Sequence, residues 1–146
     1  MTKSKMKNSP FAGELLTAAE LTRLGLSVAL MNTMGVSTPG FDMMAANKAG
    51  RSVSIQVKAL KNPNAFLIDP ERIKPGVVYV FVVVNEAGAL PEFHVATGRQ
   101  IREREDELFG KYGRTYDKPH GRGIRSNKLP KEWRGKWDNL GLGRLD

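Results

Sequence analysis

There is no cysteine among the 146 residues. That absence excludes disulfides, thiolate zinc sites and cysteine nucleophiles. No apolar run reaches the length of a membrane-spanning helix; the longest, residues 77–84, is the size of a strand. The opening Met-Thr-Lys-Ser-Lys-Met-Lys lacks the apolar segment of a secretory signal. A soluble cytoplasmic protein without a membrane partner is the expectation. Internal repeats and low-complexity tracts are also missing. The length favours one domain, and a chain of this length buries enough surface to need no covalent staples.

Basic charge is concentrated in one stretch. The net charge is +8, and residues 111–146 hold 10 Lys/Arg against 4 Asp/Glu, whereas residues 1–110 hold 13 against 11. A basic segment on a nearly neutral body suggests a polyanionic partner. A solvated tail that only aids solubility is the plain alternative.

Ser9-Pro10 suits a helix start, because serine caps and proline takes the first helical position without losing a bond. The helix is expected over 10–24, ending at Gly25. Residues 1–8 then form a flexible basic arm. Short strands are expected over 26–30 and 41–46, with a loop over 31–40. The turn 47–50 joins the second strand to a third over 51–60, making a hairpin. Residues 61–76 read as a long connection. Residues 77–84 lack alternation, as in a strand buried on both faces. Another strand spans 91–96, and Thr97-Gly-Arg-Gln100 resembles a capping box that opens a helix to Phe109. Around Leu129-Pro-Lys-Glu-Trp133 and Trp137 a helical turn is expected, with both tryptophans on one side, anchoring the tail to the body. The expected architecture is α/β, a mixed sheet with helices packed on it. It divides into the arm, a core over 9–110 and a basic extension over 111–146 packed on that core.

The third strand carries the chemistry. In Arg51-Ser-Val-Ser-Ile-Gln-Val-Lys-Ala59, apolar and polar residues alternate. Gln56 and Lys58 therefore share one face, about 6–7 Å apart along the strand. If Asp42 arrives from the neighbouring strand, a carboxylate, a carbonyl oxygen and an ammonium meet. That set can hold a hard cation and activate water beside a phosphate.

Glu14 in the first helix, Asp42 after Pro39-Gly-Phe, and Gln56-Val-Lys58 on the next strand together resemble the PD-(D/E)XK nuclease superfamily, or restriction-endonuclease-like fold. The likeness covers residues 10–96 and is nearest to small members such as archaeal Holliday junction resolvases and Mrr-type domains. It implies a nuclease acting on DNA. Asp42 and Gln56 would bind Mg²⁺ or Mn²⁺, Lys58 would orient or activate the attacking water, and Glu14 would support the metal shell. It further implies a homodimer, because two strands need two sites. One departure stands out: Gln56 replaces the usual carboxylate and removes a negative charge from the metal site.

Each residue also has a plain reading. Asp42 caps a turn, Gln56 and Lys58 form the wet face of a strand, and Glu14 pairs with a lysine. Glu20 rivals Glu14, being flanked by leucines four residues to either side, Leu16 and Leu24. In the tail, Lys111, Arg114, Lys118, His120, Arg122, Arg125 and Lys128 are candidate phosphate contacts. His94 is expected to pack within its strand. Two alternatives to a nuclease remain: a nucleic-acid-binding module of the same fold without chemistry, and a small protein-interaction factor such as an antitoxin-like or phage accessory protein.

Overall fold

The computed structural model describes residues 2–31, 40–110 and 123–143, with side chains described from Pro10 onward. The first helix, α1 (Thr2–Arg23), starts well before Pro10, so residues 2–8 are helical. Pro10 cannot donate to the carbonyl four residues back, a loss of about 3 kcal/mol inside a helix. The turns on either side continue across it nonetheless. The far end follows expectation. Gly25 adopts φ +88°, its N–H donates to the Thr22 carbonyl at 3.0 Å, and the Leu26 N–H donates to Leu21 at 3.1 Å. This is the paired-bond helix stop that glycine permits, and Leu21 and Leu26 are both buried beside it.

Five strands form the main sheet: β1 (Ser27–Leu30), β2 (Met43–Ala46), β3 (Ser52–Leu60), β5 (Val77–Val83) and β6 (Glu92–Thr97), in the order β1-β2-β3-β5-β6. Only β3 and β5 run parallel. The β2–β3 hairpin closes at Asn47, whose Oδ1 accepts the Arg51 N–H at 2.9 Å, with Gly50 at φ +85°. All seven residues of β5 are buried, as an apolar strand without alternation requires.

Alternation sorts the side chains into two cores. One holds Val53, Ile55, Val57 and Ala59 of β3 with Val78, Val80 and Val82 of β5. The helix α1 lies on this face, against β3, β1 and β5. Gly13 touches Ala59 so closely that a Cβ on Gly13 would collide with it. The second core holds Tyr79, Phe81, Val83, Ile101, Leu108 and Trp133. Over it lie α2 (Gly98–Glu103) and α3 (Glu105–Phe109), together with a ribbon of β4 (Ala65–Leu67) paired with β7 (Gly123–Arg125). The expected α/β architecture is therefore the observed one.

Three local expectations are corrected. The connection over 61–76 contains β4 and a 3-10 turn at Pro70–Arg72. Phe66 on β4 meets Phe81 edge-on at 5.2 Å, so this stretch is ordered by burying an aromatic. The capping box at Thr97 and Gln100 forms as expected, but the helix it opens breaks at Arg104. The guanidinium of Arg104 binds Glu107 at 2.7 Å and Glu132 at 2.6 Å, which ties the break to the C-terminal segment. Finally, the tryptophans do not share a side. Trp133 enters the second core, while Trp137 packs on Phe93 at 5.4 Å in the α1 core. Between them Gly135 (φ +63°) and a bridge from Arg134 to His94 carry the chain around the edge of β6. Among the described residues no helix is long and apolar enough to cross a membrane.

Candidate active site

β2 ends where its pairing with β3 would pass Ile55, and Asp42 stands at that end. Its N–H donates to the Ile55 carbonyl at 2.7 Å, and its carbonyl accepts the Met31 N–H at 2.9 Å. Its carboxylate Oδ2 then accepts the Val57 N–H at 2.7 Å. The side chain thus takes over the ladder position that the β2 backbone gives up. Val57 lies between Gln56 and Lys58, so the carboxylate is fixed at the edge of β3 between these two residues. The plain reading of Asp42 as a capping group is partly realised, but it caps a strand edge rather than a turn.

Gln56 and Lys58 lie on the face opposite α1. Their partners on β5 are Tyr79 and Phe81, both in the second core. Lys58 is half-buried, and this burial pushes its ammonium below the ordinary value of 10.5; the nearby Asp42 carboxylate partly opposes the shift. Desolvation outweighing attraction is what a lysine held over an aromatic strand experiences. The structure therefore sets the Asp42 carboxylate on the stretch of β3 that carries Gln56 and Lys58, near enough for Lys58 to feel its charge.

Glu14 is placed differently. It follows Gly13, which meets Ala59, so it is level with the C-terminal half of β3 but on the helix side of the sheet. Its rival Glu20 pairs with Arg23 at 3.3 Å.

Of the expected phosphate contacts, Lys111, Arg114, Lys118, His120 and Arg122 lie outside the described residues. Arg125 on β7 and Lys128 just after it are exposed. The β4–β7 ribbon rests on the same sheet face as Gln56 and Lys58, since Ile124 of β7 and Phe66 of β4 enter the second core. His94 is 8% exposed on that face, paired across from Phe81, with Nδ1 lacking a hydrogen-bond partner. Its burial lowers its proton affinity; Glu92 opposes this and Arg134 reinforces it.

One group of residues escaped the sequence. The Tyr79 hydroxyl accepts the Lys74 N–H at 2.9 Å. Arg102 donates through Nε at 3.0 Å, and through Nη2, to the carbonyl of Ile73. Lys74 in turn reaches Gly40: a Cβ on that glycine (φ +95°) would lie 2.8 Å from its ammonium. A hydroxyl inside an apolar strand was the available signal, because a buried tyrosine needs a partner. Nothing near Lys74 in the sequence marks it.

The donors suit a hard cation better than zinc. Among the described residues no three His, Cys, Asp or Glu side chains cluster as metal ligands. One carboxylate and one amide carbonyl are enough for an ion that keeps most of its waters.

No protein-family model matches the chain, and no curated protein matches it. Among solved structures it is similar to Archaeoglobus fulgidus Hjc, a Holliday junction resolvase from an archaeal hyperthermophile. The identity is 16% over 81% of this chain and 89% of that one, with a TM-score of 0.48. At that likeness nothing about the site transfers from one protein to the other.

Proposed function

We propose that this chain is a divalent-metal-dependent nuclease of the restriction-endonuclease-like kind, hydrolysing phosphodiester bonds of DNA at the edge of β3. The observation that carries the reading is the Asp42 carboxylate on the Val57 N–H, beside a half-buried Lys58 that feels its charge. Asp42 and Gln56 would hold Mg²⁺ or Mn²⁺. Such an ion supplies Lewis-acid stabilisation of charge developing on the phosphate. Lys58 in its neutral form takes the proton of the attacking water as the new P–O bond forms and the old one breaks. Its lowered proton affinity makes that form accessible at lower pH than in an ordinary lysine. Glu14, from the helix side, would support the metal shell past the end of β2.

Arg125 and Lys128 would hold backbone phosphates over the same face, and Lys111, Arg114, Lys118, His120 and Arg122 would add further phosphate contacts. Two copies of the chain would serve the two strands of a duplex.

Purified protein is incubated with plasmid, single-stranded and branched DNA in Mg²⁺ or Mn²⁺. Cleavage is expected, falling about 10²–10⁴-fold in Lys58→Ala and also lost in Asp42→Ala. Cleavage unchanged in either variant refutes the assignment.

Gln56 favours a second reading, a nucleic-acid-binding module without chemistry. A neutral amide in place of a carboxylate leaves Asp42 as the only acid on the β2–β3 edge among the described residues. That reading requires salt-dependent binding with no heat of Mn²⁺ binding; Mn²⁺ heat that disappears in Asp42→Ala excludes it.

A further inference from the structure

The loop leading into β5 is held at several points around one exposed lysine. Tyr79, 1% exposed, spends its hydroxyl on the Lys74 N–H at 2.9 Å. The Val77 N–H donates to the Lys74 carbonyl at 3.1 Å. Gly98, the first residue of α2, presses on that same carbonyl so tightly that a Cβ would collide with it. Arg102, one helical turn later, grips the preceding carbonyl of Ile73. Two consecutive peptide units are thus clamped from β5 and α2.

The clamped backbone projects an exposed side chain. Its ammonium runs across to Gly40, two residues before Asp42. Tyr79, which anchors the loop, is the register partner of Gln56 on β3. The lysine therefore reaches the segment that leads into Asp42 from a loop anchored on the strand beside Gln56. Gly40 leaves room for it, since any side chain there would meet the ammonium. A charge on a fixed backbone loses less freedom on binding than one on a mobile loop, so more of its attraction to an anion is retained.

We infer that Lys74 binds a backbone phosphate of the nucleic-acid strand adjacent to the one held at Asp42, Gln56 and Lys58. The inference rests on reading those three residues as a phosphodiester site. Lysine suits the role: it is a compact point charge that reaches a phosphate without demanding a planar geometry. Lys74 takes no part in proton transfer; it sets where the strand lies.

The test measures binding of a fluorescent single-stranded and a duplex oligonucleotide by anisotropy at several salt concentrations, alongside steady-state cleavage. Lys74→Ala is expected to lower the slope of log affinity against log salt by about one unit. Its KM is expected to rise roughly tenfold while kcat stays within about twofold, as when uniform binding is removed. Lys74→Arg should restore most of the loss, because the charge matters more than the stem. Lys48→Ala, in the turn at the opposite end of β3, should change neither quantity.

If the wild type binds and cleaves but Lys74→Ala keeps the wild-type slope and KM, the inference fails and the nuclease reading survives. If the wild type binds without cleaving and the slope still falls in Lys74→Ala, the inference stands and the hydrolytic reading fails. If the wild type binds neither oligonucleotide, both fall. A lowered melting temperature in Lys74→Ala with an unchanged slope assigns the residue to packing against Gly40 and overturns the inference.

Discussion

Lys58 carries two opposing influences. Burial disfavours its charge, and the Asp42 carboxylate favours it. Burial wins, so the neutral, proton-accepting form appears below the ordinary value of 10.5. If Lys58 serves as base, cleavage rises with pH through an apparent pKa beneath that value. The rise should be absent in Lys58→Arg, whose guanidinium does not deprotonate. A pH–rate profile of kcat/KM checks this, and an identical rising limb in Lys58→Arg removes the lysine from the proton transfer. Gln56 is the contrasting case. It occupies the expected place on the expected face, but its neutral oxygen draws a cation less strongly than a carboxylate would. Both residues were readable from alternation alone. Tyr79, Arg102 and Lys74 were not, because each acts through a backbone group or a neighbour distant in the chain.

At one point the contact between α1 and β3 is made without a side chain on one partner. Gly13 in the helix rests against the Cβ of Ala59. Helix propensity favours alanine over glycine by about 1 kcal/mol, yet here the added methyl has no room. Gly13→Ala is expected to destabilise the protein by about 1–3 kcal/mol through overpacking, despite the better propensity. The double variant Gly13→Ala, Ala59→Gly should recover part of that loss, as contacting residues couple. Denaturant melts of the four proteins form the cycle, and additive effects would disprove the contact. The closeness has a bearing on the candidate site: it sets how far Glu14 stands from the strand that carries Lys58. At the same scale, the helix start shows what local rules miss. Ser9-Pro10 is a sound start signal, but it marks a place where a helix can begin and does not forbid one from continuing through.

Across the whole molecule, the C-terminal segment acts as a strap. It buries Trp133 beneath one sheet face and packs a partly buried Trp137 on the other, passing around β6 at the bridge between Arg134 and His94. His94 sits in that seam with its charged form disfavoured by burial; Arg134 reinforces this and Glu92 opposes it. Its folded proton affinity is below the ordinary 6.5, so between the folded value and 6.5 the unfolded chain binds a proton that the folded chain does not. Stability from this group is therefore fully present above 6.5 and is lost as pH falls through that window. Thermal melts at about pH 7.5 and about pH 5.5 are expected to show a smaller drop for His94→Phe than for the wild type. Equal drops would mean the seam does not sense protons. Since the strap closes over the face that bears Lys58, acid loosening would be felt at the candidate site as well.

Alternation along β3 determined, from the sequence by itself, that Gln56 and Lys58 share a face. The unbroken apolar run determined that residues of β5 are buried on both sides, and the capping box at Thr97 and Gln100 determined where α2 begins. These are properties of neighbours along the chain, governed by backbone geometry and local hydrogen bonding. Only the tertiary structure decided that Asp42 caps the Val57 N–H, that α1 lies across the opposite sheet face, that Lys74 is clamped beside Gly40, and that the two tryptophans part around β6. Each of these depends on which strand stops first and which loop folds back, and that is set by competition for shared burial among segments far apart in sequence.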